Sequence, residues 1–261
     1  MKTSVAIVSG AQSVERALAL LKLVSDRNRD GVRLADLVAL SRLQKPTAHR
    51  LLQQLVASGL MNQSADKRYH LGQFAYEVGL AASHHFPVRD ICEPYLERIA
   101  QETGDSAFLV VRSGSDSFCV DRKTGSYPIK VFTVEVGHRQ PLGVGGGGLA
   151  LLSALADDEV DKILLANTDR LSSYGGLNVK ALGKLIKETR ERGYSVISDY
   201  AIQGVTGVGR AIIDGRGSVM GAISVSSVSQ RMDAERQHLV QQILKREISK
   251  LSAALARSGG A

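Results

Sequence analysis

Cysteine is scarce in this chain: Cys92 and Cys119 are the only two among 261 residues. That excludes a disulfide framework, and the two thiols do not stand at metal-ligand spacing. A zinc site would need His84, His85 and Cys92 to converge, which their spacing does not suggest, so no metal is expected. Cys92 falls on an apolar helical stripe and reads as a buried thiol. No apolar run approaches the ~20 residues that a helix needs to cross a bilayer, so no membrane partner is expected. The opening Met1-Lys2-Thr3-Ser4-Val5-Ala6-Ile7-Val8 is too short for a secretory core and lacks a convincing cleavage site, which points to the cytoplasm. The Ser258-Gly259-Gly260-Ala261 end reads as frayed. Catalytic groupings are missing as well. His84, His138 and Asp199 are candidate bases, yet none joins a Ser/His/Asp, Cys/His or paired-carboxylate arrangement. Neither an enzyme nor a cofactor is expected.

What is present is a short helix with two unlike faces, over Leu43-Gln44-Lys45-Pro46-Thr47-Ala48-His49-Arg50-Leu51-Leu52-Gln53-Gln54-Leu55. Ala48, Leu51, Leu52, Leu55 and Val56 form one apolar stripe. Thr47, His49, Arg50, Gln53 and Gln54 point the other way, and Pro46 suits the first turn. Any soluble amphipathic helix has a polar outer face, so the context decides. Upstream, Val14, Ala17, Leu18, Leu21 and Val24 repeat at helical spacing after Ser13, an expected N-cap. Leu34, Leu37 and Val38 mark a second helix. Downstream, Gly59 stops the third helix. Two extended runs follow, Leu60–Gln63 and Arg68–Leu71, with Ser64-Ala65-Asp66-Lys67 as the turn. Three helices and a hairpin are the layout of a winged helix-turn-helix, whose partner is double-stranded operator DNA.

Charge agrees. Residues 1–72 carry 11 Lys and Arg against 5 Asp and Glu, whereas the whole chain carries 33 against 26. Nearly all the positive excess therefore sits on the candidate reader, as attraction to phosphates requires. Thr47 and Arg50 are the first candidates for base edges, followed by His49, Gln53 and Gln54. Arg42, Lys45, Lys67 and Arg68 are the candidates for phosphates. A non-specific, architectural DNA binder would leave the near-neutral remainder of the chain unexplained.

Domain organisation follows as a winged helix over 10–72, a connecting segment over 73–87 and an effector-binding domain over 88–257. Phe74, Ala75, Val78, Ala81 and Ala82 could line one side of a connecting helix closed by Pro87. That helix either links two domains and packs against a second copy, or finishes the winged-helix core. Beyond it, helices are expected from Val88 to Ile99, near Leu149–Leu155, over Glu159–Ala166, over Val179–Arg192 and over Ala234–Leu255. Strands are expected around Ala107–Val111, Phe118–Val120, Ile129–Val136, Tyr194–Ser198, Thr206–Ile213 and Ser218–Ser226. Asp214-Gly215 and Gly217 mark the turn between the last two. The fold class is α+β, an antiparallel sheet with helices clustered around it.

The run Pro141-Leu142-Gly143-Val144-Gly145-Gly146-Gly147-Gly148-Leu149-Ala150 invites two nucleotide motifs. A phosphate loop fails, because Leu149 and Ala150 stand where Lys and Ser/Thr are needed. Gly143, Gly145 and Gly148 fit dinucleotide spacing, with Asp169 as the later acid, but His138–Pro141 separates the run from its strand. Two readings survive. Glycines opening a helix expose N–H groups at the positive end of its dipole, a site for a carboxylate; alternatively they permit close packing. Ser224 and Ser226, two apart on a strand, face the same side and could complete a polar cup for a small organic acid.

These segments together resemble the IclR (isocitrate-lyase regulator) family of bacterial transcription factors. The resemblance runs from Gln12-Ser13-Val14-Glu15-Arg16-Ala17-Leu18 through Lys45–Leu52 and the wing Tyr69-His70-Leu71-Gly72. It continues in Arg192-Gly193-Tyr194, Gly204-Val205 and Ala222-Ile223-Ser224-Val225-Ser226. It implies a winged helix joined by a linker helix to a GAF/PAS-like effector domain, and homodimers or homotetramers on palindromic operators. Carried over by position, it implies effector contacts at Gly146, Gly147, Ser224 and Ser226, with Ile129 and Ile197 near other pocket positions. The chain departs from the family pattern at Gly143 and Leu149, where a His and a Lys are common. It also has Ile197 where an acid often stands, and Gly207 where a larger side chain can be. A roomier, less polar pocket for an aromatic or longer-chain acid is expected.

Overall fold

The computed structural model describes residues 11–258. The opening segment through Val8 and the tail at Gly259–Ala261 lie outside them. Two compact units meet at the Phe86–Pro87 bond.

The first unit contains α1 (Gln12–Ser25), β1 (Val32–Arg33), α2 (Leu34–Ser41), α3 (Lys45–Ala57), β2 (Met61–Gln63), β3 (Arg68–Leu71) and α4 (Gln73–Ser83). α3 forms where expected. Gln44 enters in extended conformation, Pro46 occupies the first turn, and Gly59 ends the run at φ +75°. Ala48, Leu51, Leu52 and Leu55 pack with Leu20, Val24, Leu37, Met61 and Tyr69, each large side chain contributing roughly 1.5–3 kcal/mol when fully buried. The strands form an antiparallel sheet in the order β1-β3-β2.

Two expectations need correction here. α1 starts before Ser13, at Gln12, and its cap Ala11 makes no side-chain bond, so Ser13 is not the N-cap. The helix carries two apolar stripes, and the buried one centres on Leu20 and Val24. Val14 and Leu18 remain 60% and 50% exposed. Strand β1 was not foreseen; two residues are too short for an alternation signal. As for α4, it has no buried residue, although its Phe74 amide donates to the Gly59 carbonyl at 3.1 Å and it belongs to the first unit.

The second unit contains α5 (Val88–Thr103), β4 (Ser106–Ser113), β5 (Asp116–Thr124), β6 (Arg139–Pro141), α6 (Gly145–Ser153), α7 (Asp157–Leu171), α8 (Val179–Arg192), β7 (Ser195–Ser198), β8 (Val205–Ile213), β9 (Val219–Val228) and α9 (Ala234–Ser258). Its antiparallel sheet runs β6-β5-β4-β9-β8-β7. Alternation sorts its side chains onto two faces. Ala107, Leu109, Val208, Ile223 and Val225 meet α5 and α9. Phe108, Val110, Cys119, Ile197 and Ala222 share a core with Leu149 and Leu152 of α6, Ile163 of α7 and Leu182 of α8. The β8–β9 turn closes as expected: Asp214 Oδ1 accepts from the Arg216 and Ser218 amides, 2.8 Å each, and Gly217 sits at φ +81°.

The expected strand over Ile129–Val136 does not form. The edge of β5 is taken by β6, through Asp116–Pro141, Ser117–Gln140 and Phe118–Arg139. The 125–138 segment is therefore a loop. Its Val131 is buried, while Ile129, Phe132 and Val136 are 52%, 44% and 46% exposed.

Candidate functional site

On the first unit, burial of one face of α3 fixes where the other points. His49, Arg50, Gln53 and Gln54 are exposed and Thr47 is half-buried at the start of the helix. The approach to α3 is set by Arg42, whose left-handed backbone (φ +56°) reverses the chain after α2. The Ser41 hydroxyl donates to the Leu37 carbonyl at 2.6 Å and accepts from the Leu43 amide at 3.4 Å, which stiffens that turn. In the wing turn, the Ser64 hydroxyl donates to the Arg68 carbonyl at 3.0 Å, and Lys67 stands at its tip with φ +63°.

A cleft between α2, α3 and the wing gathers Arg33, Lys45, His49, Gln63 and Lys67, with Asp66 as the acid on its rim. Arg33 was not foreseen. Register places it opposite Arg68 on β3, a relation visible only once β1 exists. Arg68 also has partners within the module. Its guanidinium donates to the carbonyls of Asp30 and Gly31 at 3.3 and 3.1 Å and pairs with Asp66 at 3.1 Å, so it braces the wing against the α1–α2 turn.

On the second unit, register brings the remaining expected residues together. Ile197, Gly207, Ser226 and Ser106 form one cross-strand row, and Ser195, Gly209, Ser224 and Phe108 form the next on the same face. Helix α6 starts directly above them. A methyl carbon added to Gly146 would lie 3.1 Å from the Gly207 carbonyl carbon and 3.2 Å from Ser224 Cβ. One added to Gly147 would lie 3.2 Å from Ser224 Oγ and 2.6 Å from a Val110 methyl. The Ser195 hydroxyl donates to the Gly146 carbonyl at 2.6 Å. Of the two readings of the glycine run, close packing is what this conformation displays: backbone seats on backbone where no side chain would fit.

Gly146, Gly147, Ser224, Ser226 and Ile197 are thus adjacent and all buried. Ile129 is half exposed and lines a groove with Tyr127, Gly204, Val228, Ser229 and Arg231. Further along the same sheet face, Arg122 pairs with Phe108, a position the sequence gave no reason to single out. Both cysteines are buried, and burial pushes each thiol up to about 12. No group of three or more His, Cys, Asp or Glu side chains suited to a metal occurs among the described residues. Nor is any helix there long and apolar enough to cross a membrane.

A winged helix carrying an outward polar helix, together with a separate α+β unit, defines a two-domain transcriptional regulator. Sequence comparison agrees: the IclR helix-turn-helix domain matches residues 13–65, and the bacterial transcriptional regulator IclR C-terminal domain matches residues 80–253. The chain belongs to the IclR family of transcriptional regulators and is not an enzyme. It is 28% identical over 230 residues to the HTH-type transcriptional repressor AllR of Salmonella typhimurium, covering 87% of this chain and 84% of that one. AllR of Escherichia coli K12 is likewise 28% identical over 229 residues, with 87% and 84% covered. An IclR regulator from Silicibacter sp. TM1040 has the same fold, with a TM-score of 0.80, 21% identity and 94% and 96% of the chains covered. An IclR homologue from Microbacterium hydrocarbonoxydans, complexed with 4-hydroxybenzoate, gives a TM-score of 0.71 at 21% identity, covering 93% and 99%.

Proposed function

We propose that this chain is a cytoplasmic, ligand-responsive regulator that binds a palindromic operator through α3 and its wing and senses a small organic acid in its second domain. The observation that carries this reading is the exposed polar face of α3 beside a basic cleft. Thr47, His49, Arg50, Gln53 and Gln54 would meet base edges, while Arg42, Lys45, Lys67 and the newly recognised Arg33 would hold phosphates. Domain bounds of 10–72, 73–87 and 88–257 go with it, supported by the division of contacts after Phe86.

Homodimers, or homotetramers built from them, are the assembly this reading requires, since a palindrome mirrors a two-fold axis. Its support is apolar surface on the first unit. Val14 and Leu18 of α1, and Phe74, Tyr76, Val78 and Leu80 of α4, are all exposed. Clustered apolar exposure of this kind marks contact surfaces. For the effector, support comes from the buried serines beneath the α6 start, from Gly207 where a larger side chain could stand and from the apolar Ile197 in place of an acid, which together suit an aromatic or longer acid. The aromatic acid held by the Microbacterium relative is of that kind.

The test is fluorescence anisotropy of the purified protein on its own upstream intergenic DNA against a scrambled duplex, while organic acids are titrated. Preference for the native DNA that shifts with one acid is expected. Equal, salt-sensitive binding to both duplexes, unmoved by any acid, would overturn the reading.

A further inference from the structure

Most arginines of the second domain are visibly committed. Arg112 meets Glu159, Arg170 meets Asp116, Arg190 meets Asp157 and Arg231 meets Asp105. Arg122 differs. Its guanidinium has no ion pair among the described residues, and its one ring contact is the face of Phe132, with Cζ 3.8 Å from the ring centre. Its Nη1 is buried and has no hydrogen-bond partner. The neighbouring carboxylate, Asp121, does not serve it. Asp121 pairs with Leu109 on the opposite face of the sheet, where Arg89 and Lys123 approach it at 3.7 Å each.

A second orphan lies next to the first. Ser106 is 2% exposed and its hydroxyl also lacks a partner. Register makes Ser106 and Arg122 diagonal neighbours on one face, about 7–8 Å apart at the backbone and within reach of a long side chain. Ser106 in turn pairs with Ser226, and Phe108, between Arg122 and Ser224, supplies an apolar floor. A half-buried guanidinium whose buried Nη1 goes unanswered, beside a buried hydroxyl that also lacks a partner, calls for one acceptor carrying negative charge.

We propose that Arg122 is the anion anchor of the effector site, pairing with the ligand's carboxylate beside the Ser106 hydroxyl. The ligand's apolar body lies over Phe108, and its far, neutral polar end reaches Ser224 and Ser226 at the α6 start. This assignment rests on the acid-sensing reading above and sharpens it. The ligand class is a carboxylic acid with an apolar middle and a second polar group, spanning two strand spacings, about 10 Å from Arg122 to Ser224 at the backbone.

Titration calorimetry of the full chain tests it, with 4-hydroxybenzoate, benzoate, pyruvate and glyoxylate each compared with its uncharged amide. An acid should bind wild type and its amide should not. Arg122→Ala should weaken that acid at least tenfold and Arg122→Lys less, with Ser106→Ala weaker than wild type too. Without any acid, Arg122→Met should melt at or above the wild-type temperature, because no native ion pair is lost. If Arg122→Ala binds the acid as wild type does while Ser224→Ala does not, the anchor is wrong and acid sensing stands. If Arg122→Met melts more than about 5 °C lower, Arg122 is a structural brace and the proposal falls. If no acid binds wild type, the acid-sensing reading and the anchor fall together.

Discussion

Gly209→Ala should be among the most damaging single-methyl additions to this protein. The new carbon would lie 2.4 Å from the Gly146 carbonyl oxygen, 2.6 Å from its carbon and 2.8 Å from Ser195 Oγ. Ordinary contact for such pairs is over 3 Å, so the start of α6 must retreat by most of an ångström. It cannot do so cheaply, because Leu149, Leu151 and Leu152 of α6 are all buried behind it. Overpacking of this kind costs about 1–3 kcal/mol. Retreat also stretches the 2.6 Å bond from the Ser195 hydroxyl to the Gly146 carbonyl, and a buried acceptor left unpaired adds about 1–3 kcal/mol. The combined loss, about 2–6 kcal/mol, corresponds to a fall of roughly 4–24 °C in the melting of a domain this size. Gly183→Ala is the matched control. Gly183 lies inside α8 with open space where its methyl would go, so the same chemical change should gain up to about 1 kcal/mol of helix propensity. Thermal and guanidinium unfolding followed by circular dichroism reads both. A Gly209→Ala protein that melts within a degree or two of wild type, or a Gly183→Ala protein that loses as much, would refute the backbone-seating argument.

On DNA, Arg50→Ala should weaken operator binding by about 1–3 kcal/mol with little change on random duplex, whereas Lys67→Ala should weaken both alike and lower the salt slope by about one; anisotropy across a salt series distinguishes them. Neither cysteine should react with a thiol reagent in the native protein at about pH 8, since burial holds both near 12, and both should react after denaturation. Burial works to raise the Glu247 carboxyl, but hydrogen bonds from Lys250, Arg98 and Arg246 outweigh it and bring it down to about 2. A folded value below the unfolded one gives stability that is full above the ordinary carboxylate range and is lost as pH falls towards 2. Acid titration should therefore show wild type losing about 2–3 kcal/mol across that window and Glu247→Gln losing less.

Much of this architecture was legible because periodicity and punctuation agreed. α3 and α8 begin and end where the residues suggest, and β8 and β9 fall on their alternating runs with a turn at Asp214–Gly217. Failures occurred where pairing or tertiary contact decides. Ile129–Val136 is rich in strand-favouring residues, yet β6 pairs with β5 at Asp116–Phe118 and no strand forms over 129–136. α1 offers two apolar stripes, and only packing selects Leu20 and Val24 over Val14 and Leu18. At the candidate effector site, the glycines and serines were readable as a group. Arg122 was not, because within Asp121-Arg122-Lys123 three neighbouring charges look like one solvated strand end. The sheet sends Asp121 to the α5 side and Arg122 to the α6 side.

The glycine seam between α6 and β8 has a consequence for how the sequence of this domain can drift. A joint made of backbone has no rotamers to rearrange, and at Gly209 an added methyl would meet the Gly146 carbonyl oxygen at 2.4 Å, so this seam tolerates little change. The 125–138 segment is different: Ile129, Phe132 and Val136 stand partly in solvent, bound by no ladder, and can change without disturbing the sheet. Sequence variation should therefore accumulate on that strip of chain, while the seam keeps its composition.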